Sequence, residues 1–302
     1  MGNDPDDKPS LKFPPLFFFV ILLVVAVEFG ISLWSMGRNP AESLKRAAEA
    51  GFRYVEVWTE PYEEFEGRVD ELVRAIDKYG VKAYSLHAPF FGLDISAIDE
   101  DARRRSLEKV LRSLEIAERL GCSCFIIHPS SKSYHRKEDY EKAKLMLLKS
   151  VEEIEKASSG HGVRVSLENM LAPREGFRVG TSVAELREIA EKVSLGEVGI
   201  CLDTGHTNYN GLEVAEEVRE AGDLLAALHI NDNDGSGDQH LVPGEGTIDW
   251  HSFLEALKDT GYDGLLMFEI YGGDQPEERL NKSYQTACSR SSLHYNRKNK
   301  AI

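Results

Sequence analysis

The sequence predicts an α/β chain folded as a single (β/α)8 barrel, and three observations carry that prediction. Short apolar runs alternate with amphipathic stretches of helical period eight times between Val27 and Thr286. The length of 302 residues accommodates such a barrel, which takes ~250 residues in one domain. Histidine or a carboxylate closes six successive runs, at His87, His128, Glu168, Asp203, His229 and Glu269, and a closed barrel brings all strand ends to one mouth.

Residues 1–26 stand outside the pattern. Asp4, Asp6 and Asp7 precede an apolar run over 16–27, which at 12 residues is too short to span a bilayer comfortably. An acidic leader is the opposite of what a signal peptide carries. The segment therefore reads as an extension outside the barrel, with translation properly starting near Val27; export, with cleavage after Ala26, is the lesser alternative.

The barrel is read over 27–286. Its strands are expected at 28–33, 54–58, 82–87, 124–128, 164–168, 198–203, 225–230 and 265–269. The first helix opens at Asn39-Pro40, a cap residue followed by proline at the first helical position, and ends before Gly51. The remaining helices are expected at 68–79, 101–120, 139–158, 182–193, 212–221, 250–260 and 277–286. Gly80, Gly121, Gly160 and Gly261 follow helix ends, where a left-handed cap favours glycine. The segment 287–302 breaks the pattern: Arg290, Arg297, Lys298 and Lys300 occur with no acid, so it reads as an irregular basic tail in which His294 is inert.

The formal net charge of −15 and pI near 5.1 argue against a surface built for phosphate backbones. Nucleic acid is thus a disfavoured partner, and no membrane association is expected. Cys122, Cys124, Cys201 and Cys288 are too few and scattered for a disulfide framework, which fits a reducing, cytoplasmic setting. Cys122 and Cys124 form a C-x-C at the start of an apolar strand and read as buried core thiols.

The chemistry concentrates where strand seven delivers His229 into the loop NDNDGSGDQHLVPGEGTIDW. Asp238 and His240 stand two apart, so in an extended segment both side chains leave the backbone on one side and can grip one ion. Thr247 or Asp249 would cap the helix that follows. His206 lies just beyond Asp203. Carboxylates and imidazoles without a full cysteine set point to Zn²⁺, Mn²⁺ or a similar divalent ion.

The ordered fragments SLHAPF, IIHPS, SLENM, CLDTGHT, LHIND, DQHLVPGEGTIDW and MFEI resemble the xylose-isomerase-like barrel superfamily over Val27 to about Tyr284. That superfamily holds sugar and sugar-phosphate isomerases and epimerases together with the endonuclease-four class of abasic-site nucleases. For the isomerases the resemblance implies one ion on Glu168, Asp203, His229 and Glu269, with Glu168 and Glu269 moving protons. For the nucleases it implies three zinc ions: one on His87, His128 and Glu168, one on Glu168, Asp203, His229 and Glu269, and one on His206, Asp238 and His240.

The loop 59–66, TEPYEEFE, would repel a DNA backbone, which ranks the isomerase or epimerase first, the nuclease second and a non-catalytic metal-binding barrel third. The expected partner is a small sugar or sugar phosphate. His87, His206, Lys132 and Arg136 are candidates to contact it, and Lys132, His135, Arg136, Lys137, Arg174 and Arg178 could hold a phosphate group.

Overall fold

The computed structural model describes residues 28–36, 39–193 and 197–291, with side chains described through Thr286. The extension over 1–26, the tail beyond Ser291 and His294 lie outside the described residues. Eight parallel strands pair in chain order and close on themselves: β1 Phe29–Ser32, β2 Tyr54–Trp58, β3 Lys82–His87, β4 Cys124–Ile127, β5 Arg164–Glu168, β6 Gly199–Asp203, β7 Leu225–Ile230 and β8 Leu266–Phe268. The helices are α1 Pro40–Ala50, α2 Tyr62–Glu66, α3 Val69–Tyr79, α4 Glu100–Leu120, α5 Lys137–Ser158, α6 Val183–Lys192, α7 Thr204–Tyr209, α8 Val214–Ala221, α9 Trp250–Thr260 and α10 Pro276–Ser291.

Several boundaries differ from the sequence reading, each for a local reason. β4 stops at Ile127, one residue short of His128, because Pro129 has no N–H with which to continue a ladder. β1 gives way at Leu33 to a 3-10 turn over Leu33–Met36. The segment read as an acidic loop contains α2, whose Tyr62 and Phe65 are buried while Glu63 and Glu64 face out. α7 starts directly after Asp203, whose carboxylate caps it. The last helix runs to Ser291, so the segment read as an irregular tail from 287 begins as helix.

Strand alternation decides what faces the barrel axis. Ile31, Val55, Val57, Leu86, Phe125, Ile127, Val165, Leu167, Ile200, Leu202, Leu228 and Phe268 pack in the core beneath the helices. The residues between them therefore point inward. A second, smaller cluster of Cys124, Ile126, Cys201 and Ala227, with Tyr84 against it, fills that interior. Continuing each inward row toward the C-terminal end of its strand gives Glu56 and Trp58, His87, His128, Glu168, Asp203, His229 and Glu269.

The helix ends follow the chemistry of their caps. Asn39 accepts from the N–H groups of Ala41 and Glu42, Asp99 from Ala102, and Asp249 from His251 and Ser252. Gly51, Gly80, Gly121 and Gly261 end their helices in the left-handed region. No helix among the described residues is long and apolar enough to cross a membrane.

Candidate metal centre

At the C-terminal mouth three groups of donors converge, each with ligand atoms within 4.8 Å of one another: His87, His128 and Glu168; Glu168, Asp203, His229 and Glu269; and His206, Asp238 and His240. The first two groups share Glu168. Its Oε2 lies 3.2 Å from Nε2 of both His87 and His128, and its Oε1 lies 3.3 Å from Nδ1 of His229. Nδ1 of His229 is also 3.3 Å from Glu269 Oε2. In the third group Asp238 sits between two imidazoles, with Oδ1 3.2 Å from His240 Nε2 and Oδ2 3.8 Å from His206 Nε2.

The histidines are oriented from behind. His87 Nδ1–H donates to the Ala88 carbonyl at 2.9 Å, His206 Nδ1–H to the Asn169 carbonyl at 2.7 Å, and His240 Nδ1–H to the Glu269 carbonyl at 2.9 Å. A carbonyl only accepts, so each bond keeps a proton on Nδ1 and turns Nε2 toward the carboxylates. This is how metal-binding imidazoles are held. In the four-residue group His229 Nδ1 has no hydrogen-bond partner although it is buried between two carboxylates. Burial disfavours a charged ring there, but the carboxylates around His229 hold it well above the ordinary histidine range. A cation among those oxygens would take the place of the Nδ1 proton, so the donor set fits a divalent ion.

Asp203 is held by five hydrogen bonds, one of them from Thr207 Oγ1 to its carbonyl at 2.9 Å. Its backbone N–H donates to Asn169 Oδ1 at 2.6 Å and its carbonyl accepts from Asn169 Nδ2 at 3.1 Å. Its Oδ1 caps His206 N at 2.7 Å, and its Oδ2 accepts from Asn231 Nδ2 at 2.9 Å. The long loop after β7 is organised by buried Asp232, which accepts from the N–H groups of Asn233 and Gly244 and from Trp250 Nε1, and whose backbone bridges Leu241. His240 takes a φ of 45°, a region that costs a non-glycine residue ~1–3 kcal/mol. Its bond to Glu269, the Asp232–Leu241 bridge and the Trp34 ring 4.7 Å from its own hold it there.

Gly205 must lack a side chain, since a Cβ would fall 1.8 Å from Asn231 Oδ1. Gly205→Ala is therefore expected to push Asn231 off Asp203, weakening divalent-ion binding by ~10-fold or more and stability by ~1–3 kcal/mol. Metal titration and thermal melting measure the two effects; unchanged affinity would count against the role given to Asn231.

Electrostatics divide the titratable groups. Burial would raise Glu168, but His229 and His128 hold it well below the usual carboxylate range. Burial pushes Glu269 up to about 7, against the pull of His229 and His240. Burial also drives His128 down to about 4 despite Glu168. For His206 and His240 burial opposes protonation and loses: Asp203, Asp238 and Glu168 push His206 up to about 10, and Asp238 and Glu269 push His240 up to about 9.

In the metal-free protein at neutral pH both imidazoles are thus charged. Their charge stabilises the metal-free fold fully below the ordinary histidine pKa of ~6.5. That contribution is lost as pH rises through about 9 and about 10. A cation on Nε2 must displace these protons, so loading the His206, Asp238 and His240 group is expected to release protons at pH 7 and to strengthen as pH rises. Calorimetry in two buffers of different ionisation enthalpy checks it, and identical apparent enthalpies would exclude proton release.

The other candidates fall elsewhere. Lys132 is exposed on the loop after β4. Arg136, 72 % exposed, stands at the residue before α5 without a side-chain capping bond and pairs with Glu138 at 3.5 Å. His135, Lys137 and Arg174 are exposed, while Arg178 donates to the carbonyls of Leu171 and Ser131 and so ties the loops after β4 and β5 together. In the acidic segment Glu60 accepts from the N–H groups of Phe90 and Phe91, and Glu63 pairs with Lys109 at 2.6 Å. Cys122 and Cys124 are buried, and burial pushes both thiols up, so neither is poised as a thiolate.

Sequence reasoning missed Glu56, which is fully buried and whose Oε2 lies 3.0 Å from His229 Nε2. The signal was a lone charge at the centre of YVEVW, on the inward face with Tyr54 and Trp58. It also missed Asn169 and Asn231, whose amides have no ligand character of their own.

The sequence model of the xylose isomerase-like TIM barrel family matches residues 44–289. An uncharacterized protein of Methanocaldococcus jannaschii is 28 % identical over 250 residues, 82 % of this chain and 84 % of the relative. The D-psicose 3-epimerase of Ruminiclostridium cellulolyticum is 27 % identical over 237 residues, 76 % of this chain and 77 % of that enzyme. Among solved structures, a D-tagatose 3-epimerase-like protein superposes with a TM-score of 0.77 at 25 % identity, covering 88 % of this chain and 98 % of that one. A match that begins within α1 and runs into α10, over a barrel whose eight strands close in chain order, means that this chain belongs to the xylose isomerase-like TIM barrel family.

Proposed function

We propose that the protein is an isomerase or epimerase of small sugars or sugar phosphates that depends on a divalent ion, Zn²⁺ or Mn²⁺, held by Glu168, Asp203, His229 and Glu269. The observation that carries this reading is the buried convergence of three carboxylates and one correctly presented imidazole, in a chain whose relatives include a sugar 3-epimerase. When bound, the ion supplies Lewis acidity to the carbonyl and neighbouring hydroxyl oxygens of the sugar.

The chain's own groups do the rest. Glu168, kept ionised by its histidines, is suited to take the proton from the carbon beside the carbonyl. Glu269, pushed up to about 7, is suited to give one back from the opposite face. The intermediate state is an enediolate, and return of the proton to the other face of the same carbon completes an epimerisation. His87 and His206, buried beside the carboxylates, are the sugar-contacting candidates. Trp34, Trp58 and Phe90 stand next to His240, His87 and His128 and offer apolar faces to the C–H side of a sugar ring. Exposed Lys132 and self-paired Arg136 retain a role only at the outer rim.

A second reading is a zinc phosphodiesterase of the abasic-site nuclease kind, favoured by one observation: the two additional donor groups are also complete. The net charge of −15 disfavours it, because DNA binding rests on cationic contacts. The test is a panel of ketoses, aldoses and their phosphates run in deuterated water with the metal-loaded protein, beside an abasic-site duplex. Solvent deuterium incorporated at the carbon beside a sugar carbonyl supports the epimerase or isomerase; strand cleavage supports the nuclease; bound metal with neither leaves a metal-binding barrel without catalysis.

A further inference from the structure

We infer that Glu56 is a positioning residue of the metal centre, fixing the His229 imidazole from below so that Nδ1 is the nitrogen presented to the ion. The inference rests on the reading of Glu168, Asp203, His229 and Glu269 as a metal site and adds a residue that site does not itself include. Glu56 lies at the middle of β2, one inward-facing position below Trp58 and its strand neighbour His87. Its side chain is fully buried inside the barrel, where an ionised carboxylate costs several kcal/mol unless hydrogen-bonded. Two donors meet it there: Ser85 Oγ at 2.8 Å from the adjacent strand, and His229 Nε2 at 3.0 Å.

The consequence lies at the opposite nitrogen. A carboxylate accepts, so Nε2 keeps its ring proton, and Nδ1, 3.3 Å from both Glu168 Oε1 and Glu269 Oε2, is the nitrogen left for a cation to take. That atom has no other partner. With a cation among these oxygens both nitrogens of His229 are satisfied, the two donors to Glu56 meeting at its Oε2 while Oε1 is buried without a hydrogen-bond partner. The anchor also differs in kind from those of His87, His206 and His240, which donate to backbone carbonyls. An anionic acceptor makes an imidazole a stronger donor to metal than a neutral one does, and partners of this type are worth ~10–100-fold in metal affinity. The apolar cluster of Cys124, Ile126, Cys201 and Ala227 in the same interior would accommodate an apolar residue at position 56 at lower cost. The charge there is explained by what it does to His229.

The experiment titrates Zn²⁺ against a competing chelator into metal-stripped wild type, Glu56→Gln and Ser85→Ala, with thermal melts of each metal-stripped protein alongside. Glu56→Gln keeps the shape and removes the charge, and its Kd for the tightest ion is expected to rise ~10-fold or more. Ser85→Ala leaves the carboxylate and should shift Kd far less. A merely structural role would lower the melting temperature of Glu56→Gln and leave Kd unchanged, which overturns the inference. A second readout needs no variant at this position: in zinc-loaded wild type labelled with ¹⁵N-histidine, the His229 ring, identified by its absence in His229→Gln, is expected to carry its proton on Nε2 and its zinc on Nδ1. The reverse assignment overturns the inference even if Glu56→Gln does not fold. Wild type that binds no divalent ion overturns the metal-site reading and this role with it, whereas tight wild-type binding undiminished in folded Glu56→Gln removes Glu56 alone.

Discussion

Glu168→Gln is expected to abolish turnover, lowering kcat by ~10³-fold or more even when metal is supplied in excess. General-base catalysis by a positioned carboxylate is worth ~10²–10⁴-fold, and this carboxylate also belongs to two of the three donor groups. Its Oε2 faces His87 and His128 and its Oε1 faces His229, so a carboxamide would turn an N–H₂ toward at least one imidazole nitrogen now held by an acceptor. The fold should survive, because the main core lies between strands and helices and does not include position 168. A loss of ~1–3 kcal/mol from the disturbed polar cluster is the expected structural cost. Steady-state kinetics on the metal-loaded variant, beside a melting curve, separates the two effects. Near-normal kcat with metal bound would remove Glu168 as the proton-transfer group. Glu269→Gln provides the comparison: if the two glutamates serve opposite faces, each variant alone should block epimerisation, while solvent exchange at the substrate carbon should persist only in the variant that keeps the proton-abstracting residue.

The barrel was legible because its signals are local and repeated. Proline at the first position of α1, glycine after α3 and α4, and apolar runs of strand length are each fixed within a few residues of sequence. The ligand set was legible for a related reason: inward and outward residues alternate, so a histidine or carboxylate ending an apolar run has one place to go. What escaped was whatever depends on neighbours distant in sequence. α7 exists because Asp203 both caps it and is itself clasped by Asn169 and Asn231, contacts 34 and 28 residues apart in the chain. The mouth glutamates read as a repelling wall, but Glu60 is committed to the loop carrying Phe90 and Phe91, and Glu63 to Lys109 on α4. Glu56 was hidden by its surroundings, since a single acid in a strand pattern is ordinarily a reason to doubt burial.

Stripping divalent ions with a chelator is expected to eliminate turnover completely, and restoring one equivalent of Zn²⁺ or Mn²⁺ to recover it. The histidines outside the central group decide what that stoichiometry means. His128 and His240 belong to the two outer groups, and neither contributes to Glu168, Asp203, His229 and Glu269. If the enzyme works with one ion, His128→Ala and His240→Ala keep a complete four-donor shell and still bind one ion tightly, with activity reduced through lost substrate contacts. His240→Ala carries an extra penalty, because the bond from Nδ1 to the Glu269 carbonyl links the loop after β7 to the end of β8. If three ions are required, wild type holds about three, each substitution removes one, and phosphodiester cleavage disappears with it, as expected where clustered ions clamp both attacking and leaving oxygens. His128 is the cleaner probe. Burial drives its pKa down to about 4, so it is already neutral at pH 7 and ready to bind, whereas His206 and His240 must first lose protons. His229 and His87 are likewise raised by the carboxylates around them despite burial, so titration at pH 6 and again at pH 9 should show binding that strengthens with pH at every group, the steps being assigned by their loss in His128→Ala and in His240→Ala. Full epimerase activity at pH 6 with one ion bound would confine catalysis to the central group; activity that appears only as the third group fills would overturn the one-ion mechanism.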